Sequence, residues 1–235
     1  NFAELTTKEL ASREKTRVIC QSPYDAGILL DNDLVTSEKI IMAEGSGIDL
    51  EEYQPQNQIA SGVIKVLMAS RLLKDKGVRE FCAAASVIQE KYDFNVSFSL
   101  AGPIDSYSPR SLTEEQVIEI CKSAKVQFLG NRSDLQDILV KTHIFVLPSY
   151  YAEGIPKVLL EAAASGCAVI TTDHPGCRDA IVPGETGMLV APKDIPSLIN
   201  TLSSLLSDRD LMESMGKAGR QLAVQRFCIT KVIDI

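Results

Sequence analysis

Short runs of aliphatic and β-branched residues recur at 18–22, 39–43, 63–70, 96–101, 126–129, 143–148, 168–172 and 187–190, with helix-length amphipathic stretches between them. Several runs are continuous rather than alternating: Val66-Leu67-Met68-Ala69, Ile144-Phe145-Val146-Leu147 and Ala168-Val169-Ile170. A strand with one wet face alternates apolar and polar residues, so continuous runs mark parallel strands covered on both faces. Repeated strand–helix–strand units with short connections predict a Rossmann-like, doubly wound α/β domain around a parallel sheet.

Helix starts are also readable. Thr113-Glu114-Glu115-Gln116 and Ser133-Asp134-Leu135-Gln136 both fit the capping box, in which two side chains each satisfy an orphan amide. Thr6-Thr7-Lys8-Glu9 opens an N-terminal helix in the same way. Pro156 and Pro196 suit first helical turns, where a missing donor costs nothing. The polar stretch 53–58 has proline and no periodicity, and it marks a seam. Residues 1–53 read as helix–strand–helix–strand, too little to bury a core alone, and 54–235 as a complete nucleotide-fold domain. The chain opens on Asn1 and closes within an apolar-periodic run, and it reads as a piece of something longer.

Composition narrows the function. Hydrophobic residues are 45% and charged residues 23%, an ordinary globular balance, and the net charge of −7 argues against nucleic acid as a partner. No apolar run approaches the roughly 18 residues of a membrane span, and the first residues lack a signal-peptide pattern. The six cysteines are scattered and the two histidines, His143 and His174, do not join them, so free thiols in a reducing cytosol are expected and no metal site. No phosphate-binding P-loop and no nucleophile elbow occur. Gly45-Ser46-Gly47 lacks the third glycine and the acid of a dinucleotide fingerprint, and Asp31-Asn32-Asp33 sits in a polar turn.

In an open parallel sheet, ligands bind beyond the carboxyl ends of the strands. Three loops there carry chemistry. The segment 70–77 places Arg71 and Lys76 before a helix start near Val78, which suits either a diphosphate or a solvated charged loop. The segment 148–161 carries Glu153, Gly154, Pro156 and Glu161. Its glutamates suit either sugar hydroxyls or a plain helix start, with the small residues Ala162, Ala163 and Ala164 turning Glu161 toward the crevice. The segment 171–179 brings a Pro175-Gly176 turn and His174, which reads as a turn residue rather than a catalyst.

These loops form an ordered set. It comprises Val18-Ile19-Cys20-Gln21-Ser22, Gly45-Ser46-Gly47-Ile48-Asp49, Ser70-Arg71-Leu72 with Lys76-Gly77, Leu100-Ala101-Gly102, Phe128-Leu129-Gly130, and Glu153-Gly154-Ile155-Pro156 with Glu161. The set resembles the C-terminal, donor-binding half of retaining GT-B glycosyltransferases of glycosyltransferase family four, the glycosyl transferases group 1 type. The likeness runs over nearly the whole chain, with Ser70 where the family usually has glycine.

The resemblance implies that 1–53 is the end of an N-terminal acceptor domain plus linker, and 54–235 the nucleotide-sugar donor-binding domain. It implies Arg71, Lys76 and Glu153 as the catalytic set, with Arg71 and Lys76 on the donor diphosphate, Glu153 on the transferred sugar and Glu161 on the ribose. Backbone around Gly154, Ile155, Pro156, Val158 and Leu159 would cradle sugar and phosphate, and the turn from Leu129 to Arg132 would hold the base. The implied reaction transfers a sugar from a nucleoside diphosphate, with UDP favoured, retaining configuration without metal or other cofactor. The 173–179 segment is similar to bacterial enzymes that extend lipid-linked or surface glycans, often with N-acetylhexosamine donors. That implies a glycan or lipid-linked acceptor met through the N-terminal domain, and a cytoplasmic protein. In full-length form it would associate peripherally with the inner face of the plasma membrane. The fragment alone would bind donor and turn over poorly. Two alternatives stand beside it: a nucleotide-sugar epimerase on the same scaffold, and a non-catalytic nucleotide-sugar-binding module.

Overall fold

The computed structural model describes residues 8–233 except 10, 44 and 56–61. Two short strands, β1 (Val18–Cys20) and β2 (Ile40–Met42), pair in parallel as a separate sheet, joined by helix α1 (Pro23–Asp31). The main sheet holds β3 (Ile64–Ala69), β4 (Val96–Ala101), β5 (Gln127–Gly130), β6 (Ile144–Leu147), β7 (Ala168–Thr172) and β8 (Gly187–Val190). Its order is β5-β4-β3-β6-β7-β8, with every neighbouring pair parallel. Each strand overlaps one run predicted from sequence.

Helices α2 (Val78–Lys91), α3 (Glu114–Ser123), α4 (Leu135–Leu139) and α5 (Lys157–Ala164) follow β3 to β6 in turn, and α6 (Ile195–Ser207) and α7 (Arg209–Leu222) follow β8. The winding runs one way from β3 through β5, then returns to the other side of β3 with β6. The reversal between β3 and β6 is the topological switch point, where the two following loops diverge and leave a crevice. The central strands β6 and β7 are buried along their whole length, as continuous apolar runs require. On the β4 side Phe81 of α2 meets Phe98 edge-on, with ring centroids 6.0 Å apart.

Local signals account for the element ends. The Thr113 box forms in full: its hydroxyl accepts the Gln116 amide at 3.3 Å and its own amide donates to Gln116 Oε1 at 3.1 Å. The Ser133 box does not form. Helix α4 starts one residue later with Asp134 at the N-cap, and the Asp134 carboxylate is drawn to the Arg132 fork at 2.8 and 2.6 Å instead of an amide. Pro156 occupies the N-cap of α5, one residue ahead of the expected first turn, and Pro196 lies in the first turn of α6. The Thr6 start lies outside the described residues, as do positions 56–58 of the seam.

The chain then crosses back. After α7 a π-helical turn (Ala223–Phe227) delivers Cys228 beside Ile48, and the short helix α8 (Ile229–Ile233) follows. Ile48 N–H donates to the Phe227 carbonyl at 2.8 Å and Ile229 N–H to the Ile48 carbonyl at 3.0 Å. Arg220 holds the same region with one guanidinium, donating to the carbonyls of Tyr53 and Ala164 at 2.7 Å each and of Leu50 at 3.3 Å. Among the described residues no helix is long and apolar enough to cross a membrane.

Five cysteines are buried and Cys228 is partly exposed. The Thr230 hydroxyl at 3.1 Å pulls the Cys228 thiol below its ordinary range, whereas burial raises Cys167 and Cys177. Iodoacetamide at neutral pH should therefore modify one thiol rapidly in the folded chain, and peptide mapping should place it at Cys228. A rapid phase that survives Cys228→Ser would contradict this packing.

Candidate functional site

The loop after β3 is not a solvated tether. Leu72 and Leu73 turn into the core, and the Leu72 and Lys74 amides donate to the Pro103 and Arg110 carbonyls at 3.0 and 2.9 Å. A 3₁₀ turn (Lys74–Lys76) then leads into Gly77, the left-handed N-cap of α2 at φ +82°. A Cβ on Gly77 would overlap the Pro148 carbonyl, so only glycine lets the loops after β3 and β6 touch backbone to backbone. Tyr150 adds to that seam, its amide donating to the Asp75 carbonyl at 2.9 Å and its hydroxyl to the Lys74 carbonyl at 3.1 Å.

Across this seam Lys76, a residue only 4% exposed, forms a short ion pair through its ammonium with the Glu153 carboxylate. An ammonium so far from water needs a counter-ion, and the two loops of the switch point supply charge and countercharge. Beside the pair lies the Tyr151 ring. Lys76 Nζ is 4.8 Å from its centroid, and the guanidinium carbons of Arg71 and Arg110 are 5.6 and 5.8 Å away. Three cations from two loops thus gather around one aromatic ring. Arg110 also reaches Asp75 at 3.5 Å.

Glu153 and Gly154 are clamped from two further directions. Gly176, at φ +80°, sits so close that a Cβ there would overlap the carbonyls of both residues, which brings the Pro175-Gly176 turn against them. On the other side a Cβ on Gly154 would stand 3.3 Å from Asp25 Oδ2 and 3.4 Å from Gln21 Oε1. Helix α5 opens from this point with no side-chain cap; among the described residues the Lys157 and Val158 amides have no protein acceptor, while Leu159 N–H bonds to the Pro156 carbonyl at 3.0 Å. Uncapped first-turn amides are the kind of group that can receive an anion.

Glu161 sits one turn into α5 with its side chain 12% exposed, 3.6 Å from Lys157 Nζ. Its carboxylate faces Tyr53, whose phenol is pushed well above its usual range by burial first and by Glu161 second. Glu161 is turned away from bulk water, and the small residues after it, Ala162, Ala163 and Ala164, lie in the core.

The structure therefore brings together Arg71, Lys76 and Glu153, and runs Gly154, Ile155, Pro156, Val158 and Leu159 straight from them into α5. Glu161 stands further along that helix against Tyr53. Leu129 packs on the core at the end of β5, and Arg132 is forked onto Asp134 at the surface. That turn joins the site side of the sheet through a bond of 2.8 Å from the Gly102 amide to the Gly130 carbonyl. His174 is a turn residue, its amide bonded to the Thr172 carbonyl at 2.8 Å. Sequence reasoning missed Tyr151, Arg110 and Tyr53; the signal for Tyr151 was an aromatic residue in a loop that follows a buried strand. A cavity of about 780 Å³ opens at the opposite, amino ends of β3, β6 and β7 and shares none of these side chains.

The model of the family described as Glycosyl transferases group 1 matches residues 49–222. Over 160 residues the chain is 37% identical to an N,N'-diacetylbacillosaminyl-diphospho-undecaprenol alpha-1,3-N-acetylgalactosaminyltransferase of Campylobacter jejuni, covering 68% of this chain and 40% of the relative. Over 236 residues it is 30% identical to an Escherichia coli UDP-Gal:alpha-D-GlcNAc-diphosphoundecaprenol alpha-1,3-galactosyltransferase, covering 95% of this chain and 59% of the relative. The chain spans about half the length of the curated relatives it matches. A Rickettsia africae glycosyltransferase superposes at a TM-score of 0.83 with 22% identity, over 98% of this chain and 64% of that one, a likeness of fold. The C-terminal domain of a Glycosyl Transferase Group 1 family protein from Francisella tularensis superposes at 0.67 with 28% identity, over 78% of this chain and all (100%) of that one.

The unequal exposure of the ion pair, 5% for the Lys76 side chain and 25% for that of Glu153, sets an order of mutational cost. Glu153→Gln strands a desolvated ammonium and should lower the unfolding free energy by about 3 kcal/mol. Lys76→Met leaves the better-hydrated partner and should cost less. Urea unfolding of both variants checks the order, and equal costs would mean that the ammonium finds another partner.

Proposed function

The chain belongs to the glycosyl transferases group 1 family, and we propose that it is the donor-binding portion of a retaining glycosyltransferase that takes a sugar from a nucleoside diphosphate. The observation that carries this reading is the convergence of Arg71, Lys76, Glu153 and the free amides of α5 on the switch-point crevice. Arg71 and Lys76 neutralise the diphosphate, and they stabilise it further as negative charge develops on the leaving group. The positive charge that a metal ion would otherwise bring comes from these side chains, and the transfer needs no metal. A diphosphate bound in the crevice takes over from Glu153 as the counter-ion of Lys76, which leaves the carboxylate for a hydroxyl of the transferred sugar. Glu161, held against Tyr53, accepts from the ribose hydroxyls, and the turn at Leu129 and Arg132 receives the base.

UDP is the favoured nucleotide, in line with the UDP-Gal-dependent Escherichia coli relative, and an N-acetylhexosamine the favoured sugar, in line with the N-acetylgalactosaminyltransferase of Campylobacter jejuni. A lipid-linked glycan is the acceptor, met at the inner face of the plasma membrane through a second domain. Residues up to 53 are the last part of that domain. The exposed Ile19, Ile28 and Met42 of the β1–α1–β2 unit support this division, because they form apolar surface without a core of its own.

Calorimetry with UDP-, GDP- and ADP-sugars, with chelator and no added metal, tests the reading. Binding of at least one nucleoside diphosphate is expected; none would remove the donor-site assignment. Arg71→Ala should weaken UDP by roughly tenfold or more while leaving uridine within about twofold, through loss of charge-assisted hydrogen bonds to phosphate. Glu161→Ala should weaken both ligands, by ~1–3 kcal/mol. Sugar transfer by the 235-residue chain alone should be slow or absent, and rapid turnover by it would overturn the two-domain reading.

A further inference from the structure

We infer that Asp25 and Gln21 are specificity-determining residues: they form the wall of the crevice opposite Glu153 and Gly154, and they hydrogen-bond the hydroxyls of the hexose carried by the donor. The inference rests on the reading of the crevice as a nucleotide-sugar site and deepens it.

Both residues follow β1, at the start of α1. Ser22 is the N-cap of that helix and is fully buried. Its hydroxyl accepts the Asp25 amide at 3.1 Å and donates to Asp25 Oδ2 at 2.8 Å, which fixes the carboxylate before any ligand arrives. The helix cap is thus made by Ser22, and the Asp25 carboxylate is available for something else. It lies against Gly154, as does the Gln21 amide oxygen, and any side chain at 154 would intrude between these oxygens and the donor loop.

Charge says which end of a donor this wall meets. The Asp25 carboxylate is half-buried and, among the described residues, has no cation within ion-pair distance; the Lys76 ammonium on the facing side is held by Glu153. A carboxylate in that setting repels phosphate and is satisfied by neutral O–H or N–H donors. Gln21 is exposed and offers both a donor and an acceptor. The diphosphate belongs with Arg71 and Lys76, and the hydroxyl-rich hexose lies between Glu153–Gly154 and the Asp25–Gln21 wall.

The test compares nucleotides with and without their sugar on the 235-residue chain. Calorimetric titrations with UDP, UDP-glucose, UDP-N-acetylglucosamine, GDP and GDP-mannose are run on the parent, Asp25→Asn and Gln21→Ala. Asparagine keeps an oxygen for the Ser22 hydroxyl, and among the described residues the Gln21 side chain has no hydrogen-bond partner, so both variants should unfold within a few degrees of the parent. Asp25→Asn should reduce affinity for the preferred nucleotide sugar by about tenfold and Gln21→Ala by a few-fold, with the free nucleotide changed by less than about twofold. Equal losses for nucleotide and nucleotide sugar, or no loss, would reduce Asp25 to a helix-start residue and overturn the inference. So would a parent that binds UDP as tightly as its sugar conjugates, although the nucleotide reading would then stand. A parent that binds no nucleotide at all would overturn both.

Discussion

A buried ammonium at the switch point of the sheet organises the rest of this molecule. Lys76 comes from the first half of the winding and Glu153 from the second, and their ion pair closes the line along which the two halves meet. The ammonium is desolvated, so the loops must hold a carboxylate within reach. The contact of Gly77 with Pro148 and the two Tyr150 bonds to the 74–75 carbonyls keep it there. In the function proposed above, the same desolvation suits the ammonium to an incoming phosphate, because a dianion compensates it better than a single carboxylate. A single electrostatic demand therefore ties fold and binding together.

The second organising contact is the return of the chain end. Arg220 gathers carbonyls from the linker and from the end of α5, and the linker in turn sets the Tyr53 phenol against Glu161. Glu161 thus owes its setting both to its own helix and to a residue more than a hundred positions earlier in the chain. The Ile48–Cys228 bridge adds backbone hydrogen bonds to the same joint. Together these contacts hold the β1–α1–β2 unit beside the loop that follows β6, where Asp25 and Gln21 come against Gly154.

Much of the architecture was legible because it follows from local pattern. The run Ile144-Phe145-Val146-Leu147 has no polar side to leave in water, so it became an inner parallel strand. The Thr113 box formed in full, whereas at Ser133 the helix begins one residue later and the carboxylate at its N-cap, Asp134, bonds the Arg132 guanidinium rather than an amide. In the candidate site, Arg71 and Lys76 were both readable as cations at the end of a strand. Their different burial was not readable, since Leu72 and Leu73 anchor the loop so that Arg71 stays exposed while Lys76 turns inward. Tyr151 carries no local signature that distinguishes a cation-gathering ring from an ordinary loop tyrosine.

Taken alone, the order of residues determined the strands and helices, their parallel winding, and which loops would lie at the carboxyl ends of the sheet. Those are consequences of short-range periodicity, and a few neighbouring residues suffice to encode each of them. Only the folded chain decided that Lys76 would pair with Glu153, 77 positions away, and that Asp25 would stand against Gly154. Such partnerships depend on where whole loops come to rest, and the energy that selects them arises when a charge loses its water, an event no stretch of sequence contains by itself.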